Sequence, residues 1–450
     1  MRNVFVAVLL LIFAAATARL AGEEALGTYP YDRFERPAAC ASCHVDLARQ
    51  HEQAMMSQSF THHWDEIEYF QLALPHAEKN PKVAEVKAGC NGCHAPLAFL
   101  AGDIPPKPPA AGTRANEGVS CDLCHTVVGF QGDLPYNFNW VVAPGKVKQG
   151  PRPGLVSPHH ETRENPFLRS AEFCGTCHNE KNPWGLFVKS THLEWREGPH
   201  GTAGIVCQDC HMPPAPGRSA KMGELLPDVR QHLFHGAHDP GKLAGVIEVR
   251  IHPEVREAEP GETVRLTAVL VNAKAGHKVP TGSAEERMLW LHVIARDARG
   301  REYHLPVDRK GFAGEDLTIA SSKALAYQDI GDIRGIAEFP GLRRDGDYPT
   351  LADGDRIFRL PYLDPQGRMT IAQWYTASFG PDYRLAPLSA VTETFTWKLP
   401  PDLPPGRVEV TASLYYSRLV NSVARYLKVP DEEWEPIPVN SHSTTLTVLP

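Results

Sequence analysis

Gly118-Val119-Ser120-Cys121-Asp122-Leu123-Cys124-His125 and Gly204-Ile205-Val206-Cys207-Gln208-Asp209-Cys210-His211 carry one local pattern: two cysteines separated by two residues, with a histidine directly after the second. The pattern recurs at Cys40-Ala41-Ser42-Cys43-His44, Cys90-Asn91-Gly92-Cys93-His94 and Cys174-Gly175-Thr176-Cys177-His178. The chain has 10 cysteines, and these segments use all of them.

Two residues between thiols put both sulfurs on one helical turn, where they reach the two vinyl groups of one porphyrin while the next imidazole meets the iron. A thioredoxin-like pair, a zinc site or a disulfide framework requires no histidine at that position. The sequence therefore predicts five covalently attached haem c groups. Cys40, Cys43, Cys90, Cys93, Cys121, Cys124, Cys174, Cys177, Cys207 and Cys210 are the expected anchors, and His44, His94, His125, His178 and His211 the expected proximal ligands.

Reactivity then depends on the sixth position of each iron. Histidine supply exceeds need, with His51, His62, His63, His76, His159, His160, His192, His200, His232, His235 and His238 in the first half and His277 in the second. Of these, His51, His160, His232, His238 and His277 are the expected distal ligands. His51 lies two helical turns beyond His44 on the same face, so it serves a neighbouring haem rather than that one. His277 precedes Val279-Pro280-Thr281-Gly282, a turn that a rigid scaffold can aim at a haem. Met55 and Met56 read as packing residues.

From about Tyr29 to Ala244 the chain is rich in proline and poor in periodic stretches, so porphyrin surface must supply much of its core. From Val246 apolar and polar residues alternate, as in Val264 to Leu270, Leu289 to Val293, Val391 to Leu399, Arg407 to Tyr415 and Thr444 to Leu449. Pro260-Gly261 and Pro404-Pro405-Gly406 are turn signals. The expected architecture is multidomain: a haem-packed, mostly α and irregular domain over 29–244, then an all-β immunoglobulin-like sandwich over 245–450, with an insertion at about 303–386.

Met1-Arg2, an apolar run from Val4 to Ala15 and Ala16-Thr17-Ala18 read as a signal peptide over 1–18. The apolar run is short of the ~20 residues a spanning helix needs. The mature chain is therefore expected to be periplasmic or extracellular, with no transmembrane span. A formal net charge of −7, with both signs mixed along the chain, excludes a nucleic-acid partner. The expected partners are a redox-protein donor and acceptor, and assembly into a homo-oligomer is compatible with the sequence.

The motif spacing also suggests an internal repeat. His94 to His125 spans 31 residues and His178 to His211 spans 33, which pairs motif two with three and four with five.

Residues 38 to 240 resemble multihaem c-type cytochromes of the nitrifier tetrahaem type, in which a distal ligand follows the first motif on the next helix; Met56 stands at that position here. The segments Gly118 to His125, Ser170 to His178 and Gly204 to Pro213 are similar to those of bacterial multihaem cytochromes that continue into a β-sandwich with a GHxxPTG signature. Here that signature is Gly276 to Gly282. The resemblance implies closely stacked bis-histidine haems, electron transfer, and periplasmic or cell-surface residence. An electron carrier is favoured over an enzyme with one open haem acting on a small nitrogen or sulfur compound, and over a subunit of an extracellular cytochrome filament. Pentahaem nitrite reductases typically carry a CxxCK motif, and this chain has none.

Overall fold

A computed structural model describes residues 25–309 and 350–450, apart from 353, 368–369, 420–423 and 425–426. The expected signal peptide and the 310–349 part of the expected insertion lie outside the described residues.

Up to about residue 244 the chain folds into short helices and two-stranded pieces. Its own apolar core is small: Phe34, Leu97, Phe99, Leu100, Leu123, Phe138 and Trp140 form one cluster. No helix among the described residues is long and apolar enough to cross a membrane.

The alternating runs of the second half form strands, because a period of two drives one face of each into a shared core. In chain order these are β1 (Ile247–Pro253), β2 (Glu257–Ala258), β3 (Thr263–Asn272), β4 (Met288–Arg296), β5 (Glu302–His304), β6 (Arg356–Phe358), β7 (Tyr362–Leu363), β8 (Ser378–Phe379), β9 (Ala390–Lys398), β10 (Gly406–Ser417) and β11 (Ile437–Val448). One sheet runs β9-β3-β1; the other runs β2-β11-β10-β4-β5, with β6 also on β4. Leu266 and Phe395 of the first sheet share a core with Leu291, Val293, Val410 and Leu414 of the second. Leu291 lies opposite Leu414, and Val293 opposite Ala412, which fixes the register on that dry face.

The start of β4 departs from the half-buried expectation. Met288, Leu289, Trp290 and Leu291 are all fully buried. Met288 and Trp290 point away from the two-sheet core and pack with Tyr69, Leu72, Val86 and Trp374. The haem-motif half thus covers the outer face of this sheet, and one apolar cluster joins the two halves.

Candidate functional site

Each motif sits on a short helix or at its end. The helices are Pro37–Ala41, Val86–His94, Cys121–Cys124, Ala171–His178 and Cys207–His211. The His44 amide donates to Cys40 O at 2.9 Å and the His125 amide to Cys121 O at 3.0 Å, so thiols and imidazole share one helical turn. Gly175 is required at its position, because a Cβ there would lie 2.7 Å from the His192 ring.

The histidine tautomers follow from what each ring touches. Nδ1 meets a backbone carbonyl in His44 (Ser219 O, 2.5 Å), His94 (Ser59 O, 2.8 Å), His125 (Gln149 O, 2.8 Å) and His211 (His235 O, 2.6 Å). The same holds for His160 (Glu161 O, 3.1 Å), His232 (Arg230 O, 2.9 Å) and His277 (Lys278 O, 2.9 Å). A carbonyl only accepts, so Nδ1 carries the proton and Nε2 presents its lone pair. That is the ligating tautomer, oriented by a backbone acceptor behind it.

Three motif histidines then face a second imidazole. His44 and His160 have ring centroids 6.2 Å apart at 26°, His125 and His232 6.4 Å at 19°, and His211 and His277 6.4 Å at 15°. Such rings are too far apart to touch. With nitrogen about 2.0 Å from a metal and the ring centre about 1.1 Å further back, two trans imidazoles stand about 6.2 Å apart. The donor set therefore fits an iron held between each pair.

His51 and His238, expected as distal ligands, stand elsewhere. His51 is buried on the helix Val45–Gln53, and its Nε2 is engaged by Val119 O at 2.9 Å. His238 lies 5.4 Å from His62, with its Nε2 3.8 Å from Glu433. His62 and His63 converge on the same carboxylate, at 3.3 and 3.5 Å. His76 is a core residue whose Nδ1 accepts from the Trp374 indole at 3.0 Å.

Helix contacts show how the motifs are arranged. Pro37–Ala41 packs against Cys121–Cys124, and Cys207–His211 against Ala171–His178. The Cys93 sulfur lies 4.0 Å from Cys177 O. Motif one therefore adjoins three, two adjoins four, and four adjoins five. Cys93 of motif two and Leu123 of motif three also belong to one apolar cluster.

The loop carrying His277 is clasped by the other half. Glu194, on the helix Thr191–Glu197, accepts from the Lys278 amide at 3.1 Å and from the Thr281 hydroxyl at 2.7 Å through Oε2. Its Oε1 accepts from Arg384 at 2.6 Å and from Ser190 at 2.9 Å. Gly276 brings the loop against His200, where a Cβ would stand 3.0 Å from the ring. Residue spacing alone gave no sign of this clasp, whose members are 190 positions apart at the extreme.

The cytochrome c554 and c-prime family model matches residues 36–126. Among solved structures, a penta-haem cytochrome c552 from Thermochromatium tepidum shares this fold at 20% identity and a TM-score of 0.60, over 93% of this chain and 100% of that one. These findings support a multihaem c-type cytochrome. Spo0M, a sporulation control protein from Bacillus subtilis, aligns over 45% of this chain and 49% of its own at 12% identity, but its TM-score of 0.16 carries no weight. No curated protein matches.

A partly buried ionisable cluster adjoins motifs two and four. Lys189 donates to Glu180 at 2.8 Å and also to Gln373. Burial, reinforced by neighbouring Glu286, pushes Glu285 up to about 8. A carboxyl whose folded value exceeds its ordinary 4.5 contributes stability below that value and loses it as pH rises through about 8. Glu285→Gln is therefore expected to flatten the fall in stability between about pH 5 and pH 8, read as denaturant midpoints across that range. An unchanged slope would refute a protonated Glu285.

Proposed function

We propose that the chain is a periplasmic or cell-surface pentahaem c-type cytochrome that relays electrons between a redox-protein donor and a redox-protein acceptor. In this reading residues 29–244 form the cytochrome domain and 245–450 an immunoglobulin-like sandwich. The observation that carries it is the set of three parallel imidazole pairs at 6.2 to 6.4 Å, each joining a motif histidine to a distant one. Cys40 to Cys210 would hold five haems in thioether linkage, and His160, His232 and His277 would complete three of the irons. Bound haem supplies a reversible one-electron iron couple. The polypeptide would fix the tautomers of His44, His94, His125 and His211 through backbone carbonyls and close three sixth positions to small ligands.

One observation favours a second reading, an oxidoreductase with one open haem acting on a small nitrogen or sulfur compound. His94 and His178 belong to none of the parallel pairs, and the Lys189 charge lies near His178.

Intact mass in denaturing solvent is expected to equal the mature polypeptide plus five haems, and four or fewer would refute the count. The oxidised electron paramagnetic resonance spectrum separates the two readings. Low-spin signals alone, with no change on adding cyanide, nitrite or hydroxylamine, support the relay. A high-spin component that nitrite or hydroxylamine alters supports the oxidoreductase.

A further inference from the structure

His292, His304 and Asp355 meet on the outer face of the β4 sheet, and none of them belongs to a haem motif. Leu291 and Val293 point into the two-sheet core, so His292 between them points out. His304 on β5 is paired with Ile294, two residues along the same face. Asp355 immediately precedes β6, whose Arg356 lies opposite Leu291. Strands β4 and β5 and the residue leading into β6 thus bring the groups together across 51 and 63 residues of sequence.

The donor atoms converge closely. His292 Nδ1 lies 2.9 Å from Asp355 Oδ2 and 3.0 Å from Oδ1, and His304 Nε2 lies 2.8 Å from Oδ1. The Asp355 carboxylate is completely buried, while the His292 and His304 side chains are 15% and 26% exposed. The Ala352 amide donates to Oδ2 at 2.7 Å and orients the carboxylate from behind.

The two rings are stacked, 5.3 Å apart at 18°. A divalent cation would be held by two neutral rings and would compensate the carboxylate directly. Ligand atoms about 2.1 Å from a tetrahedral ion stand about 3.4 Å apart, so the present contacts open by about 0.5 Å to take zinc.

We propose that His292, His304 and Asp355 form a mononuclear site for a divalent transition cation, zinc being the ion that two imidazoles and a carboxylate suit best. Three protein ligands leave positions open to solvent on the exposed side. The ion tethers the segment leading into β6 to β4 and β5, joining residues 51 positions apart.

The test uses the full, haem-loaded chain, stripped with chelator, equilibrated with zinc sulfate and desalted. Elemental analysis is expected to give one zinc per molecule, with binding weakened roughly tenfold or more in His304→Ala and in Asp355→Asn. The second cluster, His62, His63 and Glu433, provides the internal control: Glu433→Gln is expected to keep the zinc. Zinc is also expected to raise the unfolding temperature of the wild type and not of His304→Ala. If Asp355→Asn fails to fold, the partly exposed His304→Ala decides, with an unaltered haem absorption spectrum as the check on folding. Wild type that retains no zinc overturns the site. So does zinc undiminished in His304→Ala, or zinc lost in Glu433→Gln alone.

Discussion

A His277→Ala variant is expected to keep five covalent haems while one of them turns high-spin in the oxidised state and binds added cyanide. His277 reaches His211 from the β-sheet half, ring parallel to ring at 6.4 Å and 15°, with Nδ1 occupied by Lys278 O. Its Nε2 is thus presented toward the iron that Cys207, Cys210 and His211 would hold. Removing the imidazole leaves that sixth position to water, a weaker-field ligand, and the thioethers are untouched. About one fifth of the total haem should change, on the five-haem reading. External imidazole should restore the low-spin spectrum. A variant spectrum identical to wild type would remove His277 from the ligand set.

The legible parts of this molecule are those encoded locally. A CxxCH segment states its own chemistry within five residues, because thiols and imidazole need only one helical turn to converge. The β3, β9 and β10 runs were legible because one face of each is dry and the other wet. The beginning of β4 was not, since Met288 and Trp290 are covered by Tyr69 and Leu72 from a part of the chain some 200 residues away. Distal ligands lie between these cases. His232 and His277 stood out by clustering or by a rigid turn, but the same clustering pointed to His238, whose ring belongs with His62 and Glu433. His51 has the position of a ligand along its helix, yet Val119 O holds its Nε2. Which further motifs adjoin is a tertiary fact: Cys93 lies by Cys177, 84 residues on. The cluster on β4, β5 and Asp355 carried no sequence signal, since its members have no common motif.

Glu194→Ala is expected to cost on the order of 3 kcal/mol of stability, the loss that follows when one partner is removed from a buried ion pair. Glu194 and Arg384 side chains are each only 5% exposed, and their 2.6 Å contact has little water to replace it. Arg384 keeps Asp382 at 2.9 Å, which limits the loss to less than that of an isolated buried charge. The same carboxylate holds the Lys278 amide and the Thr281 hydroxyl, so its removal also frees the turn that presents His277. Glu194 touches no proposed ligand atom itself and acts as a positioning residue. A purely structural role would lower the denaturant midpoint and leave the haem spectrum intact. Positioning adds a partial high-spin signal under native conditions, which external imidazole reverses and Glu194→Gln, able to keep an acceptor for the turn, shows more weakly. A stability change within about 0.5 kcal/mol would mean that the clasp does not hold the two halves together.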